Sequence, residues 1–189
     1  MTGRARRAAG ALAVLVLVAG CGVPVEDAAE PLPSGALPSA SSATQASPAA
    51  SGIDVYFAAG RMLQAVEESL SDRTPAGAMA ALAAGPPPDR AEDLRTLLVD
   101  PSTGMPVLTI ESVSPTGDGV LQSTEAFLRV PVPDQVLLMG QVVSTLAEVG
   151  VRSVEVRDPA GNTLSLALPG GVDNDGPVTA KDFASLVGP

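Results

Sequence analysis

Apolar residues follow two regimes along this chain, with the change near residue 52. From Ile53 onward they recur at strand and helix periods. Ile53, Val55 and Phe57 alternate with Asp54, Tyr56 and Ala58, the pattern of a half-buried strand. Ala59-Gly60 turns the chain, and Met62 to Leu70 is its hairpin partner. Thr74-Pro75 predicts a helix start, with Thr as N-cap and Pro at the first helical position. Met79, Leu82 and Ala83 share one face among many alanines, and Gly85 ahead of Pro86-Pro87-Pro88 ends the helix. Val107 to Val113 reads as a strand, Gly117-Asp118-Gly119 as a tight turn, and Val120 to Phe127 as the returning strand. Asp134 is the expected cap of a second helix, whose stripe Val136, Met139, Val143, Leu146 and Val149 stops at Gly150. Val151 to Arg157 and Thr163 to Leu168 are two further strands around the turn Asp158 to Asn162. Thr179 and Asp182 form a capping box ahead of Phe183 and Leu186, the expected docking anchors. The ββαββαββ order predicts a small α+β domain, a mixed sheet with two main helices packed on one face.

Before residue 52 the pattern is different in kind. Arg4, Arg6 and Arg7 precede an uncharged run from Ala8 to Gly20, the build of a signal peptide. At 1.5 Å per residue that run is too short to span roughly 30 Å of hydrocarbon. It closes on Val18-Ala19-Gly20-Cys21, a lipobox, in which the cysteine is acylated and becomes the mature N-terminus. Cys21 is the only cysteine of the chain, so it has no partner for an internal disulfide. Acylation with palmitate-type chains removes the hazard of a free thiol, and two buried chains give stable anchoring where one gives only reversible binding. From Gly22 to Gly52 the chain is rich in Pro, Ser and Ala without apolar period, the composition of a disordered tether. The expected organisation is a lipoprotein signal peptide over 1–20, the lipidated Cys21 and tether over 21–52, and one domain over 53–189.

Charge narrows the partners. The chain has 11 basic and 21 acidic residues, and removing residues 1–20 takes away three arginines and no acid. An acidic surface repels phosphate backbones, which argues against nucleic acid as a partner. Preference for Ala, Val, Arg, Gly and Pro over Lys, Asn and Ile points to a GC-rich, actinobacterial source. The expected location is the extracytoplasmic face of the cell membrane.

Candidate chemistry is thin. Without histidine, and with its one cysteine acylated, the chain offers no Ser-His-Asp or Cys-His triad and no imidazole or thiolate zinc site. Lys181 lacks a Ser-x-x-Lys context. Asp173-Asn174-Asp175-Gly176 resembles the start of a calcium loop but lacks the later bidentate Glu, and reads as a solvated turn. Glu67-Glu68 and Glu92-Asp93 are neighbouring acids without an aromatic sugar platform, and read as surface charge. The Met139 stripe reads as core packing. No catalytic, cofactor or metal residue is expected.

Several of these passages, taken in order, resemble the GerMN domain, a module named for spore-germination proteins and found in actinobacterial lipoproteins. They are Ile53-Asp54-Val55-Tyr56-Phe57; Thr74-Pro75 with the helix ending Ala84-Gly85-Pro86; Gly117-Asp118-Gly119-Val120 ahead of Phe127; Gln141-Val142-Val143-Ser144-Thr145-Leu146 before Gly150-Val151; and Gly176-Pro177-Val178-Thr179 to Asp182-Phe183. The chain departs from the pattern at Leu121-Gln122-Ser123-Thr124, where relatives tend to carry a Val-Asp-Leu type strand. The resemblance implies a small module, similar to the ring-building folds of envelope machines, with no established catalytic residues and a capacity for self-assembly. The expected function is a lipid-anchored, non-enzymatic binding or assembly module serving an envelope protein partner. The alternative is a solute- or ligand-binding lipoprotein that serves a transporter or sensor.

Overall fold

The computed structural model describes residues 52–188; the leader, Cys21 and the tether up to residue 51 lie outside the described residues. Strands β1 (Ile53–Ala59) and β2 (Met62–Glu68) form an antiparallel hairpin, followed by helix α1 (Pro75–Ala84). Strands β3 (Leu108–Val113) and β4 (Asp118–Ser123) pair antiparallel, and β4 pairs in parallel with β5 (Ser153–Arg157). The parallel pairing needs a crossover. It is supplied by helices α2 (Glu125–Arg129) and α3 (Val132–Ala147). A short ribbon of β6 (Leu166–Ala167) and β7 (Asp173–Asn174) precedes a 3-10 helix over Ala180–Leu186. The α+β class and the mixed sheet stand as the sequence predicts, with the strands divided among a hairpin, a three-stranded sheet and the ribbon.

The local signals explain most of this. Thr74 caps α1, its Oγ1 accepting from the Gly77 N–H at 3.2 Å. The capping box Thr179–Asp182 is present, and it seats Phe183 fully in the core. Ile53, Val55 and Phe57 point inward from β1, as alternation requires. Phe57, Phe127 and Phe183 are the largest buried side chains. Each contributes about 1.5–3 kcal/mol of apolar burial.

Four elements differ from expectation. Phe127 does not end a strand: β4 stops at Ser123, and Phe127 is buried from the short helix α2. The polar run Gln122-Ser123-Thr124 marks this break, and the Thr124 N–H bonds Val107 O at 3.0 Å, tying the chain back before α2 begins. Asp134 is not the cap of the second main helix; α3 begins two residues earlier, with Pro131 at the cap and prolines tolerated in its first turn. Thr163 to Leu168 contributes only the two residues of β6. Asp173 and Asn174, expected in a plain turn, form its partner β7.

Helix α3 is the centre of the molecule. Its expected stripe is in fact an enclosed segment, with every residue from Leu137 to Leu146 buried. A helix buried on all sides is normally apolar all round. This one carries Gln141 and Thr145, both fully buried, and they complete the open margin of β1. The Tyr56 N–H donates to Thr145 Oγ1 at 3.0 Å, and Gln141 Nε2 donates to Tyr56 O at 3.2 Å. Gln141 Nε2 also donates to Arg95 O at 2.9 Å, while its Oε1 accepts from the Leu97 N–H at 2.9 Å. Ala58 exchanges both backbone bonds with Arg95 at 2.9 and 3.0 Å. Gly140 lets α3 come this close: a Cβ there would lie 2.8 Å from Leu63 Cδ1 and 3.3 Å from Leu186 Cδ1.

These contacts bear directly on stability. Replacing Gln141 by Leu keeps the volume and leaves the Tyr56 carbonyl and the Leu97 amide unpaired in the interior, while Arg95 O keeps the Ala58 N–H. At about 1–3 kcal/mol for each orphaned group, the expected loss is on the order of 3–5 kcal/mol, read as a fall in the urea midpoint; an unchanged midpoint would refute the account. A second expectation concerns pH. The Asp118 carboxyl is held below its ordinary value by the hydroxyls of Thr116 and Ser153, with smaller help from Ser114 and Arg152. A lowered folded pKa stabilises above the unfolded carboxylate value near 4, and that contribution is lost as pH falls through the folded value. Asp118→Asn should therefore lower Tm at pH 7 and converge on the parent protein below about pH 4. A Tm difference that does not vary with pH contradicts this.

Candidate functional site

Two adjoining grooves lie around the N-terminal end of α3. The first, about 620 Å³, is bounded by the β1–β2 turn at Gly60-Arg61, by Val132 and Val136 of α3, and by the β6–β7 loop. The second, about 560 Å³, runs beside Leu97, the Asp100–Ser102 turn and Arg129 of α2. Arg95 and Asp134 line both and form the ridge between them.

Local sequence explains each wall. Pro131 and Pro133 start α3 abruptly, and Val132 stands 56% exposed at its first position, an apolar side chain offered to the groove. The loop Leu168-Pro169-Gly170-Gly171 folds over the first groove through two glycines at φ 94° and 80°. A left-handed pair of this kind is costly for residues with a Cβ. Asp100 holds the other wall: its Oδ1 accepts from the Ser102 N–H at 2.8 Å and from Ser102 Oγ at 2.7 Å. The Ser102 hydroxyl and then its amide keep the Asp100 carboxyl below its ordinary value, with a smaller contribution from Arg129. Asp100 is thus engaged by its own turn.

Charge is unevenly spread over the domain. Residues 52–188 contain eight basic and eighteen acidic side chains, a balance of −10. The two grooves gather Arg61, Arg95 and Arg129 against Asp100 and Asp134, a local balance of +1. Arg95 Nη2 lies 3.5 Å from Asp134 Oδ1, with the two side chains 57% and 38% exposed. An exposed pair at that distance is weak, so the guanidinium can turn to another anion. The Arg95 backbone cannot move with it, because Ala58 and Gln141 fix it.

The residues singled out from sequence lie elsewhere. Cys21 is outside the described residues. Lys181 is exposed on the 3-10 helix, Glu67 and Glu68 lie on β2, and Glu92-Asp93 form an exposed turn; none lines either groove. The Asn174 amide is bound to its own turn, accepting from the Gly176 N–H at 3.3 Å and donating to Gly176 O at 3.1 Å. Met139 is 1% exposed, a core residue as read. Among the described residues no three acid side chains gather as a metal site, and no helix is long and apolar enough to cross a membrane. Sequence reading missed Arg61, Arg95 and Arg129. They stand far apart in the chain, and the one available signal was their scarcity, since each is among eight cations after residue 20.

No known family profile matches the sequence, and no curated protein does. The fold is similar to the solved tandem GerMN domains of the sporulation protein GerM from Bacillus subtilis, with a TM-score of 0.51 at 16% identity. The likeness covers 69% of this chain and 46% of that chain, so this chain spans less than half the length of its structural neighbour. The GerMN resemblance read from the sequence is thereby supported as a fold.

The ridge makes a testable statement about stability. Asp134→Asn removes an exposed ion pair and one acid from the first turn of α3, together worth less than about 1 kcal/mol. The urea midpoint should stay near that of the parent protein. A large loss would show that the pair is structural and Arg95 is not available.

Proposed function

We propose that this protein is a lipid-anchored, non-enzymatic binding module at the outer face of the cytoplasmic membrane, and that the paired grooves take an extended peptide segment of an envelope partner. The observation that carries the reading is the pair of open apolar grooves edged by three arginines on a domain of net negative charge. Apolar walls with a few convergent charges suit side chains held in register along a peptide. The anchor is Cys21 in its lipobox, and the Pro/Ser/Ala run of residues 22–52 sets the reach. The fold is shared with domains of a sporulation protein, and that likeness gives no support to catalysis.

The grooves favour a peptide over a small solute. A solute site encloses most of its ligand, commonly between aromatic walls. Neither Tyr56, Phe57, Phe127 nor Phe183 lines either groove.

A photo-crosslinking residue placed at Val132 in the native organism tests the reading. Val113, an exposed valine at the end of β3 that lines neither groove, is the control position. Crosslinked species of raised mass are expected from position 132 and not from 113, with loss in an Arg61→Glu/Arg129→Glu background. The parent protein is expected in the membrane fraction, and Cys21→Ser protein outside it. Equal crosslinking from both positions defeats the groove; a soluble parent protein defeats the anchor.

A further inference from the structure

The two grooves differ in what they leave open to a ligand. Apart from Arg61 and the ridge pair Arg95 and Asp134, the wall of the first is built of Val, Leu, Ala, Pro and Gly. Val132 and Val172 are 56% and 62% exposed; one lines this groove, and the other directly follows its wall residue Gly171. In the second groove the turn at Asp100 is engaged with Ser102, and Thr96 Oγ1 accepts from the Leu98 N–H at 3.2 Å. Arg129 has no hydrogen bond or ion pair among the described residues, and the Arg95 guanidinium has a single contact at 3.5 Å.

We infer that the partner's segment is amphipathic in a fixed order across the ridge, with an aliphatic side chain in the first groove and a carboxylate against Arg129 and Arg95 in the second. This rests on the grooves being a peptide-binding surface, and states the chemistry of the peptide they select.

The apolar half follows from desolvation. A polar side chain set among Val136, Leu137, Leu168 and Leu186 would give up water and find no partner there. An aliphatic one loses nothing on leaving water and covers Val132 as it enters. The acidic half follows from the inventory of donors, not from net charge. A guanidinium offers five N–H groups and no acceptor, in a fork that fits both oxygens of a carboxylate. Arg129 brings that whole fork to the second groove, and Arg95 can exchange its long contact with Asp134 for a shorter one while its backbone stays bound to Ala58.

The hollow beside Arg152 and Lys181 is also positive, but it lacks the other half. Arg152 donates to Thr116 O, and Val151, the one large apolar side chain in that wall, is buried. Charge beside an open apolar wall is found at the grooves. Asp134 competes with the arriving carboxylate for Arg95, so Asp134→Asn should tighten acidic peptides several-fold and leave their glutamine analogues unchanged.

Selection of a random peptide library on the full chain in mild detergent tests the assignment, with affinities then read by fluorescence anisotropy. The recovered peptides are expected to share an acid and an aliphatic residue at one spacing. Arg129→Glu should weaken them about tenfold, the worth of one charge-assisted pair. Val132→Ser should weaken the peptides and their glutamine analogues alike, and Lys181→Glu should change neither. Peptides that lack either shared residue, or that respond to Lys181→Glu and not to Arg129→Glu, overturn the assignment. If Val132→Ser still weakens such peptides, the grooves remain a peptide site and only the stated chemistry is lost. An empty selection, or peptides that ignore Arg129→Glu, Asp134→Asn and Val132→Ser alike, removes both readings.

Discussion

A strand at the margin of a sheet leaves amides and carbonyls that must find partners, and in this fold the margin of β1 is closed from inside. Gln141 and Thr145 reach from α3 to the Tyr56 backbone, and the Arg95 backbone completes the row at Ala58. A buried carboxamide is costly unless its donors and acceptor are satisfied. Here Oε1 and Nε2 together bind three backbone groups on two separate segments. The hairpin, the 95–97 segment and α3 are therefore fixed by one side chain, with apolar burial around it giving the energy and the amide giving the register.

The grooves inherit that rigidity. Val132 begins the helix that Gln141 anchors nine residues later, and Arg95 belongs to the segment that the same side chain holds. The walls are positioned by bonds in the interior, while the charged tips above them stay free. Such a division suits the proposed recognition: backbone geometry is preorganised, and the exposed guanidiniums keep their freedom.

Much of the fold was legible because its signals are local. Alternation in Ile53–Phe57, the Thr74-Pro75 start and the Thr179–Asp182 box each act within a few residues, and each appears in the structure. The failures came where distant partners decide. Phe127 sits at the end of an apolar-and-polar run that reads as strand, and the turn into α2 is set by Thr124 bonding Val107, seventeen residues earlier. The α3 stripe understated burial because neighbours on every side cover the helix, which periodicity on one sequence cannot report. Arg61, Arg95 and Arg129 carried no motif; their meaning comes from separate loops and a helix start converging. Gln141 lay in a passage of the GerMN resemblance, yet nothing in the local sequence marks it as a backbone mimic.

Strand β3 ends the three-stranded sheet, and its pairing with β4 shifts register between Ile110 and Ser112, where Glu111 stands exposed. A kink and a carboxylate on an outer strand spoil the flat template that a neighbouring molecule would need to extend the ladder. Copies crowded side by side are thus discouraged from zippering into cross-molecule sheets. Association at this edge would have to use side chains in place of backbone ladders.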